Sequence, residues 1–261
     1  MQNRFSRIKG VCASILLLVA TWYVLYYVHS SPLFPPPHAV IYALIHLVVN
    51  HNLLTQLALT TYRVLLGLTL GTVLGLGVGV AVLLSKVVKN AVYPIIAFIA
   101  VTPAFAFIPL LMLWVGLNEL LPISVVVICT GPPLAYALVS GSKAIDPNIV
   151  DAALTLGASR KILVFKVVLP MALTHVLSML KFELSHGWRL VFVTEYLAIS
   201  SGLGYLMVKA YSLIKVDEIL ALIIVLGTLA LSTQYLVEKL ESRVLSKWGY
   251  AKTSSEGPLE W

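Results

Sequence analysis

Charge is scarce in this sequence: Asp, Glu, Lys and Arg make up 11% of 261 residues, against 59% hydrophobic. A soluble domain carries roughly a quarter charged residues, so a water-facing exterior cannot be assembled from this composition, and lipid must serve as the outer solvent. The mean hydropathy of +0.95 agrees. Cysteine is almost absent. Cys12 and Cys129 lie inside apolar runs without metal-ligand or CxxC spacing, which leaves them as small buried hydrophobes that say nothing about redox compartment. No Gly-Lys dipeptide occurs, so there is no phosphate-binding loop of the GxxxxGK[ST] kind and no ATP hydrolysis by that route. No set of nucleophile, base and orienting group is visible, which argues against an intramembrane enzyme and leaves no catalytic residue to assign. The net charge of +7 is not gathered into a basic stripe with interleaved aromatics, which argues against nucleic acid.

Long apolar runs fill the chain instead. Crossing about 30 Å of hydrocarbon takes about 20 residues at about 1.5 Å each. Runs of that order fall at 11–28, 64–84, 91–115, 121–140, 169–194 and 217–237. The expectation is an all-α integral membrane protein of about six transmembrane helices, a single membrane domain over residues 1–261 with 11–28 as its first span. That first run follows Arg4, Arg7 and Lys9 as a signal peptide would. Its apolar part is longer than a typical secretory core, however, and no small-x-small cleavage site precedes Ser30, so it reads as a retained span. The proline-rich stretch Ser30 to Pro37 is extended, and Ala39 to Tyr62, with His46, Asn50, His51, Asn52 and Gln56, reads as an interfacial helix. Trp22, Tyr23, Tyr26 and Tyr27 suit an aromatic belt. His29, His38, His46 and His51 have no carboxylate or cysteine at ligand spacing and are taken as interfacial residues, with no metal site.

Thirteen of the 18 Lys and Arg residues sit in four clusters: Arg4 to Lys9, Lys86 and Lys89, Lys143 to Lys166, and Lys239 to Lys252. Six crossings put all four on one side, and the positive-inside rule makes that side, with both termini, cytoplasmic. Arg63, Lys209 and Lys215 are left near the loops of the other side.

Within the spans, Gly67, Gly71, Gly75 and Gly79 recur every four residues and strip one helix face to backbone, a face for close helix packing within the chain or between subunits. Pro94, Pro103 and Pro109 in the third span, and Pro132-Pro133 in the fourth, predict kinks or breaks. Glu183, His186 and Arg189 share one arc of the fifth span, opposite Leu184, Gly187, Trp188 and Val191. Ionisable groups inside a span face a partner or a water-filled cavity. The arc is therefore either a structural pairing, Glu183 with His186 and Arg189 with Glu195, or the lining of a translocation path that offers positive charge to an anion. Glu195, near the outer end, is a candidate for an outer gate.

The longest gap between spans runs from Asp146 to Pro170. Asp146-Pro147 is an N-cap followed by a first-turn proline; Ile149, Ala152, Ala153 and Leu156 share one face of a short helix, and Gly157 can end it. Ser159 can cap a second helix, and Pro170 opens the fifth span. A short helix with a shallow face, projecting from a membrane domain, is shaped to enter a groove on a partner.

Asp151-Ala152-Ala153, three residues, Gly157, nine residues, Val167, one residue and Leu169-Pro170 resemble the cytoplasmic-loop signature of permease subunits of binding-protein-dependent ABC importers. Asp151 stands where the signature has Glu and Val167 where it has Ile. The resemblance runs from about Thr102-Pro103 to Tyr205. Pro109-Leu110-Leu111-Met112-Leu113-Trp114-Val115-Gly116 and Ser201-Gly202-Leu203-Gly204-Tyr205 are similar to the branch that imports nitrate, sulfonates, taurine and bicarbonate. The resemblance implies the type I ABC importer permease fold, with a transmembrane core over 53–240 and a coupling loop over 146–168, in the cell (inner) membrane. It implies contact with cytoplasmic ABC ATPase subunits through Asp151, Ala152, Ala153, Gly157, Ala158, Leu169 and Pro170. It also implies an extracytoplasmic solute-binding protein and a paired permease, most simply a homodimer. ATP and Mg would be bound by the partner ATPase, with no cofactor in this chain. The solute stays open between a small oxyanion or sulfonate and a vitamin precursor. A proton-coupled secondary transporter using Glu183 and His186 is the competing reading; such transporters usually carry internal repeats, and none is found here.

Overall fold

The computed structural model describes residues 2–29, 31 and 33–247. Pro32, Ser30 and Lys252 of the last basic cluster fall outside the described residues, as do the side chains of Arg4, Arg7, Lys9, Cys12 and His29. Among the described residues all regular structure is helical. In chain order it comprises α1 Gln2–His29, α2 Pro37–Asn50, α3 Leu53–Leu84, α4 Lys86–Val101, a 3-10 turn Ala104–Ala106, α5 Phe107–Val115, α6 Leu120–Lys143, α7 Pro147–Thr155, α8 Arg160–Leu163, a π-helical turn Val164–Val168, α9 Leu169–Ala198, α10 Leu203–Ser212 and α11 Val216–Lys247.

By length and composition α3, α6 and α11 are able to cross a membrane unbroken, and two bent pairs, α4 with α5 and Arg160–Leu173 with His175–Ala198, raise the number of spans to five if each pair counts as one. The described apolar part of α1, Ala13–Val28, is shorter than these. The third predicted run, 91–115, is therefore no single helix. It stops at Thr102-Pro103, and the chain turns through 100° between α4 and α5. Proline removes a backbone donor and pushes its predecessor out of the α region, and Thr102 is extended at ψ 134°. The other predicted breaks do not form. Pro94 stays inside α4 and Pro132-Pro133 inside α6.

The single interfacial helix expected over Ala39–Tyr62 is two pieces. α2 ends at Asn50, the chain reverses at His51-Asn52 with Asn52 in the left-handed region at φ 48°, and α3 begins at Leu53. Arg63 consequently lies one-third of the way along a long helix instead of in a loop. At the other boundary, α8 and a π turn lead without a gap into α9, which begins at Leu169 with Pro170 in its first turn. The π turn Val164–Val168 lies where the Pro170 ring would otherwise meet the carbonyl four residues back.

The bundle is centred on α6, packed between α3 and α9, with Leu121, Val125, Val126, Leu134 and Leu138 fully buried. The glycine stripe of α3 faces it. A Cβ on Gly67 would come 2.7 Å from Val126 Cβ and one on Gly71 3.1 Å from Thr130 Cβ; on Gly75 it would overlap the Gly131 carbonyl, and on Gly79 it would lie 3.0 Å from Leu138 Cδ2. Gly77, off the stripe, faces open space. The stripe is thus spent on packing within the chain.

Candidate functional site

Three groups of residues carry chemistry, at one end of the bundle, in its middle and at the other end. At the first end the chain leaves α6 through Asp146, whose side chain accepts from the Asn148 N–H at 2.9 Å and caps α7. No residue of α7 is buried. Gly157 sits at φ 81°, the left-handed geometry that lets the chain turn back without a Cβ penalty. Ser159 Oγ accepts from the Ile162 N–H at 3.4 Å to start α8. Arg160 Nε donates to the Leu83 carbonyl at 3.1 Å, tying α8 to the C-terminal end of α3. Of the apolar face, Leu156 is 88% exposed and Ile149 41%, Asp151, Ala152 and Gly157 are exposed, and Ala153 and Ala158 are half-buried. Leu169 and Pro170 lie in the first turn of α9, half-buried.

In the middle, Glu183 and His186 meet: His186 Nδ1 stands 3.6 Å from Glu183 Oε2, with the carboxyl side chain 1% exposed. They line a cavity of about 240 Å³ whose far wall is the break itself, Thr102, Pro103 and Ala104, with Cys129 and Pro133 of α6. The Cys129 thiol is buried there and donates weakly to the Ala104 carbonyl at 3.6 Å. Arg189 is not part of this cavity. It is exposed and lines a second cavity of about 280 Å³ with Lys181, Gln234 and Glu238, the two cavities sharing Phe182 and His186. The expected arc is therefore split, Glu183 inward and Arg189 outward, while Leu184, Trp188 and Val191 are buried in the core as their side of the helix required.

Glu195 does not pair with Arg189. Six residues at about 100° each put the two on different faces of α9. Glu195 Oε1 accepts from Arg63 Nη1 at 2.6 Å, and both side chains are fully buried. Arg63 also donates from Nε and Nη2 to Glu119 at 2.7 to 2.9 Å, and to the Ser201 carbonyl at 3.0 Å. Thr60 Oγ1 donates to Glu195 at 2.9 Å and accepts from the Leu203 N–H at 2.9 Å. The Gly204 N–H donates to Glu195 Oε2 at 3.0 Å and the Gly202 N–H to Gln56 Oε1 at 2.5 Å. The Ser201-Gly202-Leu203-Gly204 turn wraps the carboxylate so closely that a Cβ on Gly202 would overlap it, and Gly202 itself sits at φ 97°. Arg63, Thr60 and Glu119 were missed in the sequence. The available signal was a lone arginine leading into an unbroken apolar run, which reads equally well as a loop anchor.

Two of the histidines, His46 and His51, lie beside a carboxylate that sequence spacing did not suggest. His46 Nδ1 lies 3.3 Å from Glu218 Oε1 of α11, and His46, His51 and Glu218 bring ligand atoms within 4.8 Å of one another. Ammonium groups already stand there: Lys215 Nζ is 2.8 Å from Glu218 Oε1 and Lys209 Nζ 3.4 Å from His51 Nδ1. Desolvation and the Lys209 charge hold the His51 imidazole below its ordinary pKa.

Comparison with known proteins fits this layout. Residues 67–246 match the family described as binding-protein-dependent transport system inner membrane component. The taurine transport system permease TauC of Escherichia coli is 31% identical over 89% of this chain and 86% of its own length. A Bacillus subtilis protein named for aliphatic sulfonates transport, SsuC, is 27% identical over 98% and 92%. Among solved structures, the MetNI methionine ABC transporter in inward-facing form matches with a TM-score of 0.57 at 21% identity, covering 75% of this chain and 95% of that one. A bacterial ABC transporter involved in alginate import matches with a TM-score of 0.63 at 14% identity, covering 91% and 97%. These two share the fold, that of type I ABC importer permeases. The signature loop, the helical bundle and the family match together place this multi-pass inner-membrane chain in the binding-protein-dependent transport system inner membrane component family, as the permease subunit of an ABC transporter.

Proposed function

We propose that this chain forms the translocation path of an ATP-driven importer for a small sulfonate-type solute and takes its power stroke through the loop 146–168. The observation that carries the reading is α7, a capped helix with no buried residue whose apolar face, Leu156 foremost, is uncovered by its own chain. An apolar helix face of this kind is a docking element for a partner groove. Arg160, bonded to the end of α3, gives motion of α7 and α8 a direct route into the bundle core of 53–240. The partners in this reading are cytoplasmic ATPase subunits that bind ATP and Mg, a second permease copy and an extracytoplasmic binding protein. The chain itself has no enzymatic role. The sulfonate assignment follows the names of the relatives; Glu183, His186 and Arg189 line the path, and Glu195 holds the outer gate.

The test is Leu156→Asp together with Ala152→Trp, both on exposed positions. Each is expected to leave bundle stability within about 0.5 kcal/mol, while ATPase co-purification, substrate-stimulated hydrolysis and uptake fall together by about tenfold or more, as for loss of an interface anchor. Normal co-purification and uptake in both variants would exclude coupling through α7. Uptake persisting after deletion of the ATPase gene would favour a secondary transporter.

A further inference from the structure

α3, α4 and α6 contain no Asp or Glu, so the basic residues at the end where they meet have no carboxylate on these helices. Lys86 and Lys89 lie at the start of α4 and Lys143 closes α6, all three exposed. Beneath them stand two tyrosines. Tyr93 of α4 stacks on Tyr136 of α6, ring centroids 5.8 Å apart and planes 12° from parallel, and Lys143 Nζ lies 5.2 Å from the Tyr93 centroid. At about 100° per residue, Lys86, Lys89 and Tyr93 fall within about 60° of arc on α4, and Lys143, Tyr136, Pro132 and Ile128 within about 80° on α6. Both stripes run on into an apolar cavity of about 220 Å³, walled by Leu74 and Val78 of α3, Ile96 and Ile99 of α4, and Ile128 and Pro132 of α6. Leu74 is 56% exposed and Val78 38%, so the cavity opens to the outside of the bundle. Tyr136 lies about 10 Å along the axis from Lys143 and Pro132 about 16 Å, while Ile96 lies about 10 Å from Lys89. These depths match one leaflet, half of the roughly 30 Å of hydrocarbon.

We propose that the α3–α4–α6 face holds one anionic phospholipid. Its phosphate sits on Lys86, Lys89 and Lys143, its ester region against Tyr93 and Tyr136, and an acyl chain in the cavity. Cations, phenols and apolar groove follow one another in the order in which a phospholipid presents phosphate, glycerol ester and hydrocarbon from the surface inward. Anchoring in the cytoplasm accounts for lysines at a helix end, but not for a stacked tyrosine pair and an open groove in line below them. Basic pockets between transmembrane helices take anionic headgroups, tyrosine suits the headgroup level, and seating the chain buries apolar area that the open cavity leaves uncovered. A free anion would use the lysines alone. The site is separate from the solute path: it shares with the Glu183 cavity only the wall residue Ile99 and nothing with the Arg189 cavity.

The experiment is native mass spectrometry of the purified permease–ATPase complex in detergent, titrated with phosphatidylglycerol or with phosphatidylcholine of identical acyl chains. Phosphatidylglycerol is expected to bind about tenfold more tightly or better, each lysine near the headgroup supplying about fivefold. Lys86→Gln, Lys89→Gln and Lys143→Gln together should abolish that preference, whereas Lys209→Gln, an equal loss of charge at the other end of the bundle, should leave it intact. Leu74→Trp and Val78→Trp put an indole into the groove from exposed positions and should weaken both lipids alike. Inorganic phosphate should displace neither. Should the triple variant fail to assemble, the pair Lys86→Gln and Lys89→Gln, exposed at the start of α4, carries the comparison. Equal binding of the two lipids, a preference that survives loss of the lysines, or one that falls as far in Lys209→Gln would overturn the site. So would lipid binding untouched by both tryptophans, or displacement by inorganic phosphate. A disulfide between two copies of Leu74→Cys, in a background without Cys12 and Cys129, would show that a second permease covers the groove and would overturn it too. Each of these outcomes leaves the transport reading standing, since uptake is measured separately.

Discussion

Arg63 holds carboxylates from two separate parts of the chain, and its removal leaves Glu195 buried without a cation. Losing one member of a buried ion pair costs about 3–5 kcal/mol. Arg63→Met is therefore expected to lower the stability of the purified protein by about that amount, read as thermal melting in detergent. The Glu119 arm contributes little of it, because that side chain is 61% exposed and exposed pairs are worth about 0–1 kcal/mol. Arg63→Lys should recover only part, since one ammonium cannot reproduce a fork that reaches Glu119, Glu195 and Ser201 at once. Adding Glu195→Gln to Arg63→Met should cost less than the sum of the two single changes, because the second removes the charge stranded by the first. Additive costs would mean the two residues stabilise the fold independently.

At the scale of elements, close approach of α3 to α6 depends on glycine at the points of contact. Gly75→Ala pushes a methyl into the Gly131 backbone and is expected to cost about 1–3 kcal/mol as overpacking. Gly77→Ala, with open space beside it, should be neutral or slightly stabilising, because alanine is the better helix former by about 1 kcal/mol. Similar melting points for the two variants would refute packing at the stripe. The stripe was legible in the sequence because a four-residue repeat maps onto one helix face, though the sequence could not say which helix it meets. The capped loop helix was legible because Asp146, Pro147 and Gly157 act locally. Proline was a poorer guide. Thr102-Pro103 ends α4, in which Ile96 alone is buried, whereas Pro132-Pro133 sits in a helix buried along most of its length, where packing on both sides outweighs the lost hydrogen bonds. The ion network could not be read, because its members come from α3, the α5–α6 link and α9, and nothing in sequence spacing joins them.

The whole molecule has two unlike ends. At one, Arg160 bonds to the end of α3, Lys86 opens α4 beside it and Lys143 closes α6 over Tyr93, its Nζ 5.2 Å from the ring centroid, so two of the basic clusters share a face. At the other lie the Arg63–Glu195 network, the Ser201–Gly204 turn, α10 and the histidines that meet Glu218. Basic residues hold a helix end in the cytoplasm because their translocation is resisted, and on that rule we propose that the first end is the cytoplasmic one. In a variant with Cys12 and Cys129 replaced by serine, single cysteines at Lys86 and Ser159 should react with a membrane-impermeant maleimide only after the cytoplasmic face is opened. One at Ile214, 70% exposed, should react in intact cells. Because α3 joins the two ends in a single unbroken helix, the orientation is an all-or-none property of the bundle: labelling of Ser159 from outside would turn the whole bundle over, and it would move α7 away from any ATPase.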